Sequence, residues 1–302
     1  MVQATVALRV DVDTRRGLEE GVPRLLALLR SFGVRASFFV TMGPDRSGMA
    51  VRRLWRPAFM AKMYRTRAWR LYGLRTILTG TLLPSPLVGA GFPALLRQMA
   101  AEGHEVGPHG YDHVRWQDRV HRLAAARLRG DLAAAARAFE VAMGVRAEAS
   151  AAPGWRTTGE ALVIQDEFGY RYASDVRGAT PFRPMVKGGP LRTIQIPTTM
   201  PTMDELLGRV RDIPHALHAA MRPGLNVFTL HAEVEGGALL PTFRGFLQSL
   251  QEAGVALLRV CDAADAVLRG DVTPATVGRA NVFGRSGWVA MQDPALARGS
   301  MH

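Results

Sequence analysis

Seven short runs rich in Val, Leu, Ile and Phe punctuate the chain, at 4–10, 35–41, 104–107, 145–150, 192–196, 225–230 and 255–259. Brief, β-branched and aromatic runs of this kind predict strands. Between them lie helical patterns at 18–31, 92–101, 117–142, 158–168, 203–221 and 240–253. Strand alternating with helix predicts a parallel α/β sheet or barrel of about seven strands, with a single catalytic domain over 1–270. In such folds the chemistry gathers at the carboxyl ends of the strands. Asp11, Asp13 and His231 each follow a strand-like run directly and fall at that end. The residues from 271 to 302 are rich in Gly and Pro and predict an irregular tail packed on the domain.

One window breaks the alternation. Residues 46–91 carry Arg or Lys throughout and no Asp or Glu, which concentrates much of the net charge of +12 in one place. Arg52, Arg53, Arg56, Lys62, Arg65 and Arg70 are interleaved there with Trp55, Phe59 and Trp69. Pro57 suits the first turn of a helix. Phe59, Met60, Met63 and Tyr64 then share a face. A basic, aromatic, amphipathic insertion predicts a segment lying on an anionic bilayer, each Arg near such a surface contributing ~1 kcal/mol. The competing readings are a helix packed on the barrel with its arginines in water, and a nucleic-acid surface, for which no accompanying module is present.

Cys261 is the single cysteine, so no disulfide framework exists and a reducing compartment is expected. The first residues, MVQATVALRVDVDT, enter strand-like sequence without the charged and apolar regions of a secretory signal. No long apolar run is free of charge. Together these predict a cytoplasmic protein.

The candidate chemistry centres on Gly103–His113, GHEVGPHGYDH. His109 and His113 are four residues apart and could grip one metal ion if the segment coils by about one helical turn. Asp11 and Asp13, two apart on a strand, point to the same face and offer carboxylates to the same ion. Two His and one Asp leave positions open for water, the arrangement of hydrolysis rather than of structure.

These motifs, taken in order, resemble the polysaccharide deacetylase family of metal-dependent carbohydrate amidases. GHEVGPHGYDH is similar to that family's His-x-x-x-His motif, and VDVDT stands where the family has adjacent aspartates. APGWR (152–156), SDVRG (174–178) and TLHAEVEG (229–236) are similar to its later motifs. The resemblance implies a distorted (β/α) barrel. LRVDVDT, the GPD at 43–45, RGATPFRP (177–184), HAEVEG and GRSGW (284–288) further resemble one branch. Its members deformylate 4-deoxy-4-formamido-L-arabinose carried on undecaprenyl phosphate, in the pathway that adds aminoarabinose to lipid A.

The resemblance implies a role for each residue. Asp13, His109 and His113 hold one divalent ion, Zn, Mn, Co or Fe. Asp11 is the general base and His231 the general acid; because Val12 separates the two aspartates, base and ligand could be exchanged. Arg156 orients Asp11, and Asp175 holds His231 charged. Glu233, Glu235 and Trp155 face the sugar, and Arg177 and Arg183 pair with the substrate phosphate; each of these could equally be core or ion-pair residues. His104 is expected to cap a buried strand end. The expected partners are a polyprenyl-phosphate-linked amino sugar and the anionic cytoplasmic face of the inner membrane, without nucleic acid or an obligate protein partner. An N-deacetylase of another amino sugar and an inactive lipid-surface binder are the alternatives.

Overall fold

The computed structural model describes residues 4–53, 57–65 and 78–293. Strand β1 (Ala4–Val12) is its axis, buried from Val6 onward. It runs parallel to β9 (Gly224–His231) along its length, from Ala4 opposite Gly224 to Asp11 opposite His231. On its other side the first half pairs with β10 (Ala256–Arg259) and the second half with β2 (Ser37–Val40), which in turn pairs with β3 (Glu105–Pro108). A second parallel set comprises β4 (Ala149–Ser150), β5 (Tyr172–Ala173) and β8 (Ile194–Gln195).

Backbone bonds join the two sets. Ala151 N–H donates to Pro108 O at 3.1 Å, linking β3 to β4. Thr199 and Met200 N–H donate to Val227 O at 3.2 Å each, linking β8 to β9. The circuit β1-β2-β3-β4-β5-β8-β9 thus closes on itself, a distorted seven-stranded parallel barrel with β10 wedged beside β1.

The period of two in β1 sorts its side chains between two cores. Val6, Leu8, Val10 and Val12 face outward and pack with Leu25 and Leu29 of the helix Val22–Ser31, and with Phe243, Phe246 and Leu250 of the helix Leu240–Glu252. Ala7 faces inward with Phe39, Ala149, Ile194 and Val227. Each fully buried Val or Leu contributes about 1.5–3 kcal/mol, so register is strongly fixed. The inward parity carries on to Arg9 and Asp11, two charged side chains inside a barrel. The segment after β9 lies almost on the segment after β1: a Cβ on Gly21 would come within 2.0 Å of Ala232 O, so only glycine fits.

Three expectations are corrected. The pattern at 117–142 is two helices, His113–Arg119 and Ala125–Met143. That at 203–221 is also two, Met203–Leu206 and Ile213–Ala219, because Gly208 takes a left-handed turn (φ 68°) and Asp212 caps a new start. The expected irregular tail contains three strands. β11 (Pro274–Ala275) lies beside β6 (Arg183–Val186), which also pairs with β7 (Gly189–Pro190). β12 (Val277–Asn281) and β13 (Trp288–Gln292) form an antiparallel hairpin. Reciprocal bonds, Arg177 N–H to Ala290 O and Gln292 N–H to Arg177 O, dock that hairpin beside the barrel mouth. Gly284 and Gly287, both with φ above 80°, supply its connection, so the glycines that suggested irregularity are turn residues. Residues 294–302 lie outside the described set. Among the described residues no helix is long and apolar enough to cross a membrane.

Candidate metal centre and active site

β1 delivers Asp11 at its carboxyl end and Asp13 just beyond it, and β3 delivers His109. The chain then turns at Gly110 (φ 71°), and Asp112 caps the next helix by accepting from Arg115 N–H at 3.0 Å. His113 is the first residue of that helix. The four-residue spacing is therefore bridged by a glycine turn and a helix start, not by one helical coil as expected. The two imidazole centroids end 5.4 Å apart.

Asp13 Oδ1 lies 3.3 Å from His113 Nε2 and 3.4 Å from His109 Nε2. One donor atom from each of the three falls within 4.8 Å of the others. His109 is oriented by a 2.9 Å bond from Nδ1 to Ala151 O, which leaves Nε2 facing the aspartates. Asp13 Oδ1 and His109 Nε2 are both buried without a hydrogen-bond partner. Buried polar atoms are costly to leave unmatched, so two such atoms aimed at one point suit a cation, and the two-nitrogen, one-oxygen set suits a divalent transition metal. Burial pushes the Asp13 carboxyl up, but the His113 and His109 rings hold it well below the usual carboxylate range.

Asp11 is 1% exposed and reaches His109 Nε2 at 3.6 Å. Its two oxygens accept from Arg9 Nε and Nη2, each at 2.7 Å. Arg9 thus holds Asp11 through both oxygens. Arg9, Asp11 and Asp13 alternate along one strand, so the fork and both carboxylates share a face. Arg156 instead stacks 4.3 Å over Trp288. Arg9 also donates to Ser174 O and Oγ, which ties β1 to the end of β5.

His231 ends β9. Its backbone N–H donates to Glu235 Oε2 at 2.6 Å, its ring lies edge-on to Trp155 at 6.1 Å, and its Nδ1 is buried without a partner. Asp175 does not hold it. That carboxylate pairs with Gln195 on β8, accepting from Nε2 while Asp175 N–H donates to Oε1, both at 2.9 Å. The two-point pairing with a carboxamide ties Asp175 Oδ2 to β8, while its Oδ1 is buried without a partner.

Glu233 caps the loop after β1. Its Oε1 accepts from the N–H of Asp13 and Thr14 and from Thr14 Oγ1, at 2.7–3.0 Å, and its Oε2 is buried and unpartnered. Burial, and then the Asp13 charge, pushes its carboxyl up to about 8. Burial likewise pushes Glu235 well up. Trp155 is fully buried and has a left-handed backbone (φ 52°), a conformation worth ~1–3 kcal/mol of strain. It is held by a 2.9 Å bond from Nε1–H to Thr198 Oγ1.

Arg177 pairs with Glu205 at 3.0 Å and lies 5.0 Å over the Trp155 ring. Arg183 donates to the carbonyls of Leu191 and Arg192. In the basic insertion, Pro57–Arg65 is helical, with Met60 and Tyr64 exposed. Arg53 pairs with Asp118 at 2.8 Å, and Arg65 donates to Leu207 O and Gly284 O, so both serve the protein itself. Trp55, Arg56, Trp69 and Arg70 lie outside the described residues, as do the side chains of Arg52, Phe59 and Lys62. His104 caps a strand as expected, accepting from Ala36 N–H at 3.1 Å.

Residues 2–173, more than half of the chain, match the polysaccharide deacetylase family. The chain belongs to that family. Two curated relatives bear the name probable 4-deoxy-4-formamido-L-arabinose-phosphoundecaprenol deformylase ArnD. The one from Shewanella sediminis (strain HAW-EB3) is 37% identical over 95% of this chain and 94% of its own length. The one from Wigglesworthia glossinidia brevipalpis is 29% identical over 93% and 99%. The crystal structure of a polysaccharide deacetylase candidate from Mycobacterium smegmatis matches the backbone with a TM-score of 0.61 at 20% identity, over 93% of this chain and 96% of that one. At that identity the likeness concerns the fold.

Proposed function

We propose that this polysaccharide deacetylase family member hydrolyses the formamide of 4-deoxy-4-formamido-L-arabinose linked to undecaprenyl phosphate. The products are formate and the free amino sugar lipid, which serves lipid A modification and resistance to cationic peptides such as polymyxin. The observation that carries the reading is the convergence of Asp13, His109 and His113 on one point, beside Asp11 and opposite His231. The names of the two relatives point to the same substrate.

Asp13, His109 and His113 are the residues that would hold a divalent ion, which supplies Lewis acidity toward the formamide oxygen and makes bound water more acidic. Asp11, clamped through both oxygens by Arg9, accepts the proton of the attacking water. The Arg9 fork fixes its direction and compensates its charge inside the barrel. His231 delivers a proton to the departing sugar nitrogen, which leaves poorly as an anion. The Trp155 edge fixes the plane of that ring. Glu233 and Glu235, held toward their protonated forms by burial, can offer O–H donors to sugar hydroxyls.

Met60 and Tyr64 of the insertion helix present apolar and aromatic surface to solvent. This supports a peripheral position on the cytoplasmic face of the inner membrane, where a lipid-linked sugar resides. Its support is narrower than the whole basic segment, because Arg53 and Arg65 are engaged within the fold.

The test is formate release from the lipid-linked formamido sugar by the wild type, Asp11→Ala and His231→Ala chains. The reading expects release by the wild type and a loss of ~10²–10⁴-fold in each variant. Full activity in both variants, or no release by a metal-loaded wild type, overturns it.

A further inference from the structure

The C-terminal hairpin brings a residue to the site that no strand-end motif contains. Arg285 sits in the β12–β13 connection, 4.4 Å over the Trp155 ring whose edge meets His231. Its side chain is 11% exposed. Among the described residues its one side-chain hydrogen bond is to Glu205 Oε1, at a long 3.5 Å. Glu205 does not need that bond. It already accepts from Arg177 at 3.0 and 3.3 Å and from Thr202 N–H at 3.0 Å. A guanidinium so nearly buried calls for a compensating anion, and the protein supplies only a shared one.

The surroundings have the same bias. Arg65, Arg177, Arg209 and Arg285 gather on this wall, and Asp204 and Glu205 are the acids among them. Even with the neighbouring Glu235 ionised, the wall keeps an excess positive charge. The loop carrying Arg285 is also built to stay in place. Gly284 has φ 87°, and a Cβ there would come within 2.5 Å of Glu205 O. Arg65 of the insertion helix donates to Gly284 O, and Arg209 stacks 4.2 Å over Phe283.

We propose that Arg285, supported by Arg177, forms an anion subsite for the phosphate ester of the substrate, holding it on the guanidinium that covers Trp155, beside His231. The subsite rests on the proposed sugar-lipid reading and deepens it. It moves the expected phosphate contact from Arg183, whose guanidinium is engaged by the Leu191 and Arg192 carbonyls, to a residue of the hairpin. A fork with several N–H groups matches the oxygens of a phosphate ester, and its attachment beside the general acid sets the sugar nitrogen within reach of the His231 ring.

The probes are farnesyl phosphate, farnesol and phosphatidylglycerol vesicles, measured by calorimetry or sedimentation on the full chain. The variants are Arg285→Met, which keeps the cover over the indole, and Arg285→Lys; thermal melting checks that each folds. The proposal expects Arg285→Met to bind farnesyl phosphate at least tenfold more weakly, with farnesol binding unaltered and Arg285→Lys in between. It also expects the preference for a phosphate-bearing over a phosphate-free formamido sugar to fall by a similar factor. Unchanged farnesyl phosphate affinity overturns it. So does a loss confined to phosphatidylglycerol vesicles, which would assign the residue to the membrane headgroups. A wild-type chain that binds farnesyl phosphate through Arg285 but releases no formate supports the subsite and overturns the reaction.

Discussion

The barrel buries acids at both ends, and treats them in opposite ways. At the amino-terminal ends of β2, β3 and β5, Glu105 Oε2 accepts from Ser37 Oγ, Tyr172 Oη and Cys261 N–H, and Val260 N–H donates to Ser37 Oγ. At the carboxyl ends, Asp13, His109, Asp175, His231, Glu233 and Glu235 each leave one buried atom without a partner. Saturated polar networks lock a structure, whereas unmatched buried atoms are tolerated where a ligand completes them. The contrast teaches that burial of charge does not mark the functional end of this barrel; incomplete hydrogen bonding does.

The sharpest way to break the contrast is to remove one unmatched atom at the mouth. His109→Ala should lower formate release on the order of 10³-fold or more, because Lewis acidity and water activation are lost together. The same variant also gives up the His109 Nδ1 bond to Ala151 O, so it should lose about 1–3 kcal/mol against the metal-free wild type in denaturant unfolding; a loss of activity no larger than that loss of stability explains would assign the ring a structural role. Next comes Arg9→Met, which leaves Asp11 buried without its fork. It should cost about 3–5 kcal/mol in denaturant unfolding as well as activity; wild-type stability would show that Asp11 is compensated elsewhere. At the saturated end, Tyr172→Phe should cost about 1–3 kcal/mol and leave kcat unchanged. A loss of kcat without loss of stability would reverse the roles of the two ends.

The smallest effect concerns pH. The Glu233 carboxyl, ordinarily near 4.5, is raised to about 8 by burial and by Asp13. Between those values the unfolded chain has released this proton and the folded chain retains it. The stability that Glu233 contributes is therefore fully present below about pH 4.5 and lost as pH rises through about 8. Unfolding of the metal-free chain at several pH values should show this decline, and Glu233→Gln should flatten it. An identical slope in the variant would place the titration elsewhere.

Much of the barrel was legible because β1 and β9 are long, nearly continuous apolar runs whose position in the fold matches their pattern. The candidate metal trio was legible because Asp13 directly follows an apolar strand-like run and His109 and His113 stand four apart in a turn-rich segment. His104 was readable as a strand cap. The contacts that hold Asp11 and Asp175 were less legible. Arg9 was hidden inside an apolar strand, although its parity with Asp11 and Asp13 carried the signal, and Arg156 was chosen from motif resemblance. The pairing of Asp175 with His231 rests on motif resemblance, whereas the carboxamide of Gln195 takes that carboxylate across two strands of two residues each. Strands that short leave no periodic trace. The hairpin at 277–292 was missed because its turn glycines, Gly284 and Gly287, resemble the composition of an irregular tail, and Arg285 was missed with it.

The central claim is a single divalent ion on Asp13, His109 and His113. Stripping the chain with chelator, dialysing it against cobalt and counting bound metal tests this most directly. The account predicts one equivalent per wild-type chain, none in His113→Ala, and formate release that returns in proportion to the metal bound. Equal metal content in the two chains, or undiminished release by a chain verified to be metal-free, would contradict it.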